Sequence, residues 1–482
     1  MSYAIRLRVL LKYFGQYCLV LAILLLPPVL VAALNVEWMA ATRYGLVALT
    51  VATLGGVLSQ DRFSGRVQKN EAMVLVVGVF LFTSAVMVYP FMAEGLELSD
   101  ACFESVSGCT TTGLSTTRTV EDKSVSFLFA RAWMQWIGGL GVVVFSVALV
   151  VHPGVTAKRL MMMGGDQESL VGNTTTHARR TLVIYTMMTV VAIIGLAVTS
   201  GNLFESVAYA CAAVSTGGFA PRDSSLAGVS GGWPTWVMAS LACLAGAIPL
   251  VLYERAYQGD FRYVAKSMQL RAVLAFTGVA CMATFACLWL LQDTPLKSAL
   301  LQATMMGISA QTTAGFSVVD VTHRHPVTKL VLIAAMFIGG GLGSTAGGVK
   351  VWRVLVGWQL FGSLISRTCT SPHAVSNPHL AGQRLEEGEI NEAAIIVGLY
   401  AVVIFLSWTT FVAFAYDPLD ALFEVVSATG TVGLSTGITS IDLPVPLKTV
   451  LCCDMLLGRL EVFVFLVALY PKTWFGNRTE LT

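Results

Sequence analysis

Two stretches of this sequence overlay without a gap: DACFESVSGCTTTGLST at 100–116 and DALFEVVSATGTVGLST at 420–436. Eleven of the 17 positions are identical, including Asp100/Asp420, Glu104/Glu424, Thr111/Thr431, Gly113/Gly433 and Thr116/Thr436. Looser copies stand at 204–219 (FESVAYACAAVSTGGF) and 300–316 (LLQATMMGISAQTTAGF). Each ends in a triplet of small or β-branched residues, then Gly, then Phe or Leu. The glycines fall at 113, 218, 315 and 433, at intervals of 105, 97 and 118 residues. Such a period marks an internal repeat, and the repeat decides the architecture. A Glu or Gln precedes the glycine by nine residues in repeats one and four and by thirteen in two and three. The difference of four is about one helical turn, so a slightly longer helix in repeats two and three would present the same face; each copy is expected to be a short half-helix followed by an extended return. Glu104, Glu205 and Glu424 are expected near the helix starts, where the dipole favours a negative charge.

The surroundings are apolar. Of 482 residues 55% are hydrophobic and 12% charged, with a mean hydropathy of +0.73. That excludes a disordered chain, a solvated nucleic-acid binder and an ordinary cytosolic enzyme. Runs long enough to cross a ~30 Å hydrocarbon core lie at 15–34, 44–60, 73–93, 127–151, 181–199, 233–252, 272–291, 330–349, 393–416 and 446–470. The first has no cleavage site and reads as a retained span. The repeated stretches are too short and too rich in Gly, Ser and Thr to cross. Twenty of the 30 basic residues fall at the N-terminus, in 61–72, 152–180, 253–271 and 350–392, and in the tail. By the positive-inside rule these segments, with both termini, are cytoplasmic. The opposite side carries 15 of the 28 acidic residues and all four repeated stretches.

Each unit therefore reads span, half-helix, extended segment, span. Two crossings return the chain to the same side, so the units are parallel and can surround one axis normal to the membrane. Irregular backbone at membrane depth is tolerated only when buried in protein or lining a water path. The expected fold is an all-α polytopic membrane protein of four parallel span–pore-loop–span repeats around a central pore, plus two extra N-terminal spans. The units are 1–70, 71–160, 175–265, 266–366 and 390–482. Glycine lets successive carbonyls turn one way, and rings of carbonyls with Thr hydroxyls can replace the hydration shell of a weakly hydrated cation. Small residues also permit plain close packing of helices; four copies at near-equal spacing favour the pore.

With its four loops, FIGGGLGSTAGGVKVWRV at 337–354 and LLGRLEVF at 456–463, the chain resembles the Trk/Ktr/HKT superfamily of potassium transporters, over residues 73–470. The two spans before residue 60 resemble the extra pair of the Trk branch; TVGLSTGIT in the fourth loop is closer to the sodium-dependent Ktr pattern. The resemblance implies potassium uptake across a bacterial inner membrane, with K+ the transported ion and no bound cofactor. It implies a filter built from Thr111, Thr112 and Gly113; Thr216, Gly217 and Gly218; Thr313, Ala314 and Gly315; and Thr431, Val432 and Gly433. It further implies a homodimer and a peripheral cytoplasmic nucleotide-binding regulatory subunit (TrkA-like); no nucleic-acid partner is expected.

The decamer GGGLGSTAGG, with Gly339, Gly340, Gly341, Gly343, Gly347 and Gly348, cannot form a comfortable helix, since each interior glycine costs about 1 kcal/mol relative to alanine. In the family this segment is the gate, and Lys350 beside it is either part of the gate or an interfacial anchor. Its GLGSTA formally matches a dinucleotide fingerprint, but inside a span the match is accidental. Arg459 lies mid-span and is a functional candidate by default; Asp454 or Glu461 could pair with it, or it could sit close under the filter and limit flux. An alternating-access symporter would show inverted repeats, and an intramembrane enzyme would need a nucleophile or metal cluster within the spans. Neither pattern is present in the sequence.

Overall fold

The computed structural model describes residues 4–60, 67–151, 174–369, 379–380, 383–385 and 387–475. The described chain is almost wholly helical, apart from a two-residue antiparallel pair, His379–Leu380 with Gln383–Arg384. The unit boundary expected at 160–175 lies outside the described residues up to 173, as do the final residues 476–482. At the N-terminus Leu7–Leu24 and Leu26–Leu34, interrupted only at Leu25 ahead of Pro27 and Pro28, make one 28-residue span. It starts earlier than the hydropathy run because Arg6, which reads as a mere flank, donates from Nε to Glu71 at 2.9 Å. Trp38–Leu58 packs back against it. A Cβ at Gly55 would come within 2.9 Å of the Gly15 carbonyl oxygen, so small residues set that close approach.

The four units then follow. Their first helices are Lys69–Phe91, Thr174–Ser200, Met268–Leu290 and Glu387–Ala413. Their short helices are Leu98–Cys109, Leu203–Val214, Leu296–Gln311 and Pro418–Thr429. Only the third of these is a turn longer than the rest, so the sequence expectation for the second is corrected. Its extra turn is absent because Asn202 caps the helix, its side chain accepting from Glu205 N at 3.2 Å.

The closing helices depart from uninterrupted crossings in three units of four. Val125–Val151 is continuous. Trp233–Ala247 meets Leu250–Tyr257 at 92°, because Pro249 cannot continue the ladder. Pro326–Ile338 stops where the glycines begin, and helix resumes at Val351–Thr368. Val445–Leu460 is separated from Val462–Leu469 by Glu461, held at φ 65°.

Two ion pairs, one of them buried on both sides, tie neighbouring units together. Lys448 Nζ donates to Asp100 at 2.6 Å, and Lys329 to Asp420, each carboxylate lying in the first turn of the next unit's short helix. There the helix dipole adds to the attraction. Both partners of the Lys448–Asp100 pair are almost fully buried. Lys448→Met is therefore expected to destabilise the protein by about 3–5 kcal/mol, the usual cost of leaving one buried charge unpaired. Adding Asp100→Asn should recover most of that loss. Thermal unfolding of the purified protein in detergent checks both; an unchanged midpoint for Lys448→Met would show that the pair does not hold the units.

Candidate ion-conduction site

The chain takes the same path after each short helix. A threonine enters the left-handed region: Thr111 (φ 54°), Thr216 (53°), Thr313 (55°) and Thr431 (49°). Two residues on, a glycine follows at φ 91°, 81°, 71° and 97° for Gly113, Gly218, Gly315 and Gly433. The residue between donates its N–H back to the helix: Thr112 to Ser107 O (2.9 Å), Gly217 to Ala212 O (2.7 Å), Ala314 to Ser309 O (2.9 Å) and Val432 to Ser427 O (2.8 Å). A β-branched residue in this region is strained, and four such residues in register mark a functional segment.

The four segments close on one another. A Cβ added at Gly113 would collide with the carbonyl oxygen of Gly217. At Gly218 it would strike that of Ala314, at Gly315 that of Val432, and at Gly433 that of Thr112. Each segment thus touches the next and the fourth touches the first, a closed ring that brings together all twelve residues singled out from the sequence. No side chain fits at any of the four glycines. The hydroxyls of Thr111 and Thr431 are buried without a hydrogen-bond partner, whereas Thr216 donates to Ser215 O at 2.7 Å.

Behind the ring, Glu104 and Glu424 are not at helix starts, as the sequence suggested; they lie mid-helix, and Asp100 and Asp420 occupy the first turns. The glutamates instead brace the return. Glu424 accepts from Ser435 (2.6 Å), Thr436 N (2.7 Å) and Thr439 (2.7 Å). Glu104 accepts from Ser115, from Thr116 N (3.0 Å) and from Arg131 Nε (2.9 Å). Arg131 also stacks 3.8 Å above the Phe219 ring. Glu205 does occupy a first turn and pairs with Arg222. The mouth above the ring is a cavity of about 480 Å³ whose lining mixes Asp223 and Asp320 with Arg118, Arg131 and Arg222. An acidic outer side is therefore not an acidic lining. Asp320, in the loop above the membrane, is held below the usual carboxylate range by hydrogen bonds from Thr322.

The glycine-rich segment sits against the side of the ring opposite the mouth. Gly347 N–H donates to Thr313 Oγ1 at 2.6 Å and Gly348 N–H to Gly430 O at 3.1 Å. Thr345 Oγ1 reaches Val214 O and Gly246 O, both at 2.9 Å, and Gly341 N–H reaches Ala247 O at 3.0 Å. Gln311 Nε2 holds Gly339 O at 2.6 Å, Val351 N–H holds Gly340 O at 3.0 Å and Leu250 N–H holds Gly343 O at 3.1 Å. Three cations grip the segment and its exit: Arg459 on Thr345 O (2.7 Å), Lys350 on Ala346 O, and Arg353 on Val349 O (3.1 Å).

The carboxylate partners considered for Arg459 are both engaged elsewhere. Asp454 accepts from Ser407 at 2.7 Å and Glu461 from Arg353 at 2.6 Å. Arg459 spends its donors on carbonyls, Gly138 O at 3.4 Å being the second, and its Nε is buried without a partner. Sequence reading missed Gln135, whose amide lies against Gly217, because a lone Gln in an apolar helix carries no motif. Among the described residues no group of three His, Cys, Asp or Glu could hold a metal ion.

The chain matches known proteins in sequence and fold. The TrkH family, described as a cation transport protein, matches residues 55–474. A Trk system potassium uptake protein TrkH of Halomonas elongata is 27% identical over 484 residues, covering 97% of this chain and 99% of that one. The TrkH of Escherichia coli K12 is 28% identical over 428 residues, covering 85% and 87%. The crystal structure of the potassium transporter TrkH from Vibrio parahaemolyticus aligns with a TM-score of 0.88 at 23% identity, over 98% of this chain and 100% of that chain, a likeness of fold. With the family matched across most of its length and the ring in place, the chain belongs to the TrkH family of cation transport proteins, the Trk potassium uptake transporters.

Proposed function

We propose that this chain takes up K+ across a bacterial inner membrane through the four-segment ring, which acts as a carbonyl-lined selectivity filter. The observation that carries the reading is closure: each filter glycine lies against the next segment's carbonyl, with no room for a Cβ. Backbone oxygens and threonine hydroxyls then replace the hydration shell of a weakly hydrated cation. Residues 339–348 act as the gate, since they bond directly to Thr313 and to Gly430 beneath the ring. Arg459 is the pore charge. The distribution of Lys and Arg supports cytoplasmic termini. A homodimer and a nucleotide-binding cytoplasmic regulator belong to the same reading and rest on the family resemblance.

Tracer Rb+ uptake into proteoliposomes tests it. Unlabelled K+ is expected to compete at least about tenfold better than Na+, a margin equal to about 1.4 kcal/mol. Imposed proton or sodium gradients, applied in turn, read the coupling. Equal competition by K+ and Na+ would overturn the filter.

A further inference from the structure

The second filter segment differs from the others at its middle position. Thr112, Ala314 and Val432 carry side chains there; Gly217 carries none. Gly217 is not in the left-handed region, so its backbone does not call for glycine. Space does. A Cβ at Gly217 would overlap the Gln135 amide carbon and lie 2.6 Å from Gln135 Oε1 and 2.9 Å from its Cβ.

Gln135 is fully buried on Val125–Val151, the closing helix of the preceding unit. Both ends of its amide are used. Nε2 donates to Gly217 O at 2.6 Å, and Oε1 accepts from Phe219 N–H at 3.0 Å. Only one orientation of the amide satisfies a carbonyl and an N–H together, so the side chain is fixed. It straddles Gly218, the glycine that closes the ring onto Ala314. Under the overlay of repeats one and four, the corresponding residue of the last unit is Met455, also buried but unable to donate.

We propose that Gln135 is a positioning residue for ion selectivity. Its amide stands in for the side chain missing at Gly217 and holds two peptide planes of the second filter segment. Two adjacent glycines would otherwise give that quarter of the ring the freedom to follow a smaller ion. The inference rests on the filter reading above and deepens it.

The test uses the full chain in proteoliposomes and the ratio of Rb+ to Na+ uptake. Gln135→Met keeps the volume and removes both hydrogen bonds. It is expected to lower the ratio about five- to tenfold, the scale of one or two buried hydrogen bonds, while the protein stays monodisperse. Gly217→Ala enters the same contact from the other side and carries the test if Gln135→Met fails to fold; it should shift the ratio the same way. The pair Gln135→Ala with Gly217→Ala should cost less than the product of its single effects, because both act on one contact. A wild-type ratio in a folded Gln135→Met or Gly217→Ala, or independent effects in the pair, would overturn the proposal. Gly113→Ser separates the two levels. If it lowers the ratio while the Gln135 and Gly217 variants do not, the filter stands and Gln135 is only packing. If it too leaves the ratio unchanged, the filter reading fails and takes this inference with it.

Discussion

Gly113→Ser is expected to reduce the preference for K+ over Na+ by about ten- to a hundredfold, measured as competition against tracer Rb+ uptake. Two costs act together. Gly113 sits at φ 91°, where an L-residue meets about 1–2 kcal/mol of backbone strain. Its new Cβ would also point at the Gly217 carbonyl oxygen, and backbone there cannot swing aside as a flexible side-chain tip can. The strain is relieved by widening the ring or turning a carbonyl away, and either change alters the spacing by which the proposed filter would distinguish one ion from another. At 1.4 kcal/mol per factor of ten, the backbone strain alone is worth about five- to thirtyfold, and the clash with the Gly217 carbonyl extends the range upward. Gly278 supplies the control, since a Cβ there meets nothing within 4 Å. Gly278→Ala should leave selectivity unchanged. A wild-type K+/Na+ preference in Gly113→Ser would remove the ring from the transport path.

Much of this site was legible in the sequence because its determinants are local. The glycine of each segment and its backbone freedom follow from short-range chemistry, and the overlay of 100–116 on 420–436 exposed them; the left-handed threonine two residues earlier carries no such sequence signal and shows only in the structure. The ring was legible only through repetition: four like segments on one side of a membrane have few other ways to bury their irregular backbone. What escaped depends on contacts and backbone breaks that spacing does not reveal. Glu104 was placed at a helix start, but its partners are Ser115, Thr116 and Arg131, which composition and spacing do not connect to it. The bend at Pro249 and the break at Glu461 were hidden inside apolar runs, because hydropathy counts side chains and is blind to φ. Gln135 escaped for a related reason. Its meaning lies in the absence of a side chain 82 positions away in the sequence.

Neutralising Arg459 is expected to raise K+ uptake by about tenfold. Its guanidinium bonds to Thr345 in the segment beneath the proposed filter, and among the described residues no carboxylate is bonded to it. A cation passing a unit positive charge at roughly 8 Å meets about 2 kcal/mol at an effective dielectric of 20. The same group also pins the segment, and two further variants separate the roles. Arg459→Lys keeps the charge and loses the fork, so uptake that stays low identifies the electrostatic barrier. Thr345→Val removes the bonds to Val214 and Gly246 without touching any charge, so a rise there identifies the clamp. Because the gate reading joins the two, Arg459→Met should exceed either variant. Stability should not fall with it. Removing a buried charge that lacks a counter-ion relieves a desolvation cost, so the unfolding midpoint of Arg459→Met is expected to hold or rise. Greater flux from a protein at least as stable would mark Arg459 as a restraint on conduction. Unchanged flux in Arg459→Met would leave it a packing residue and would place the barrier to ions elsewhere along the axis.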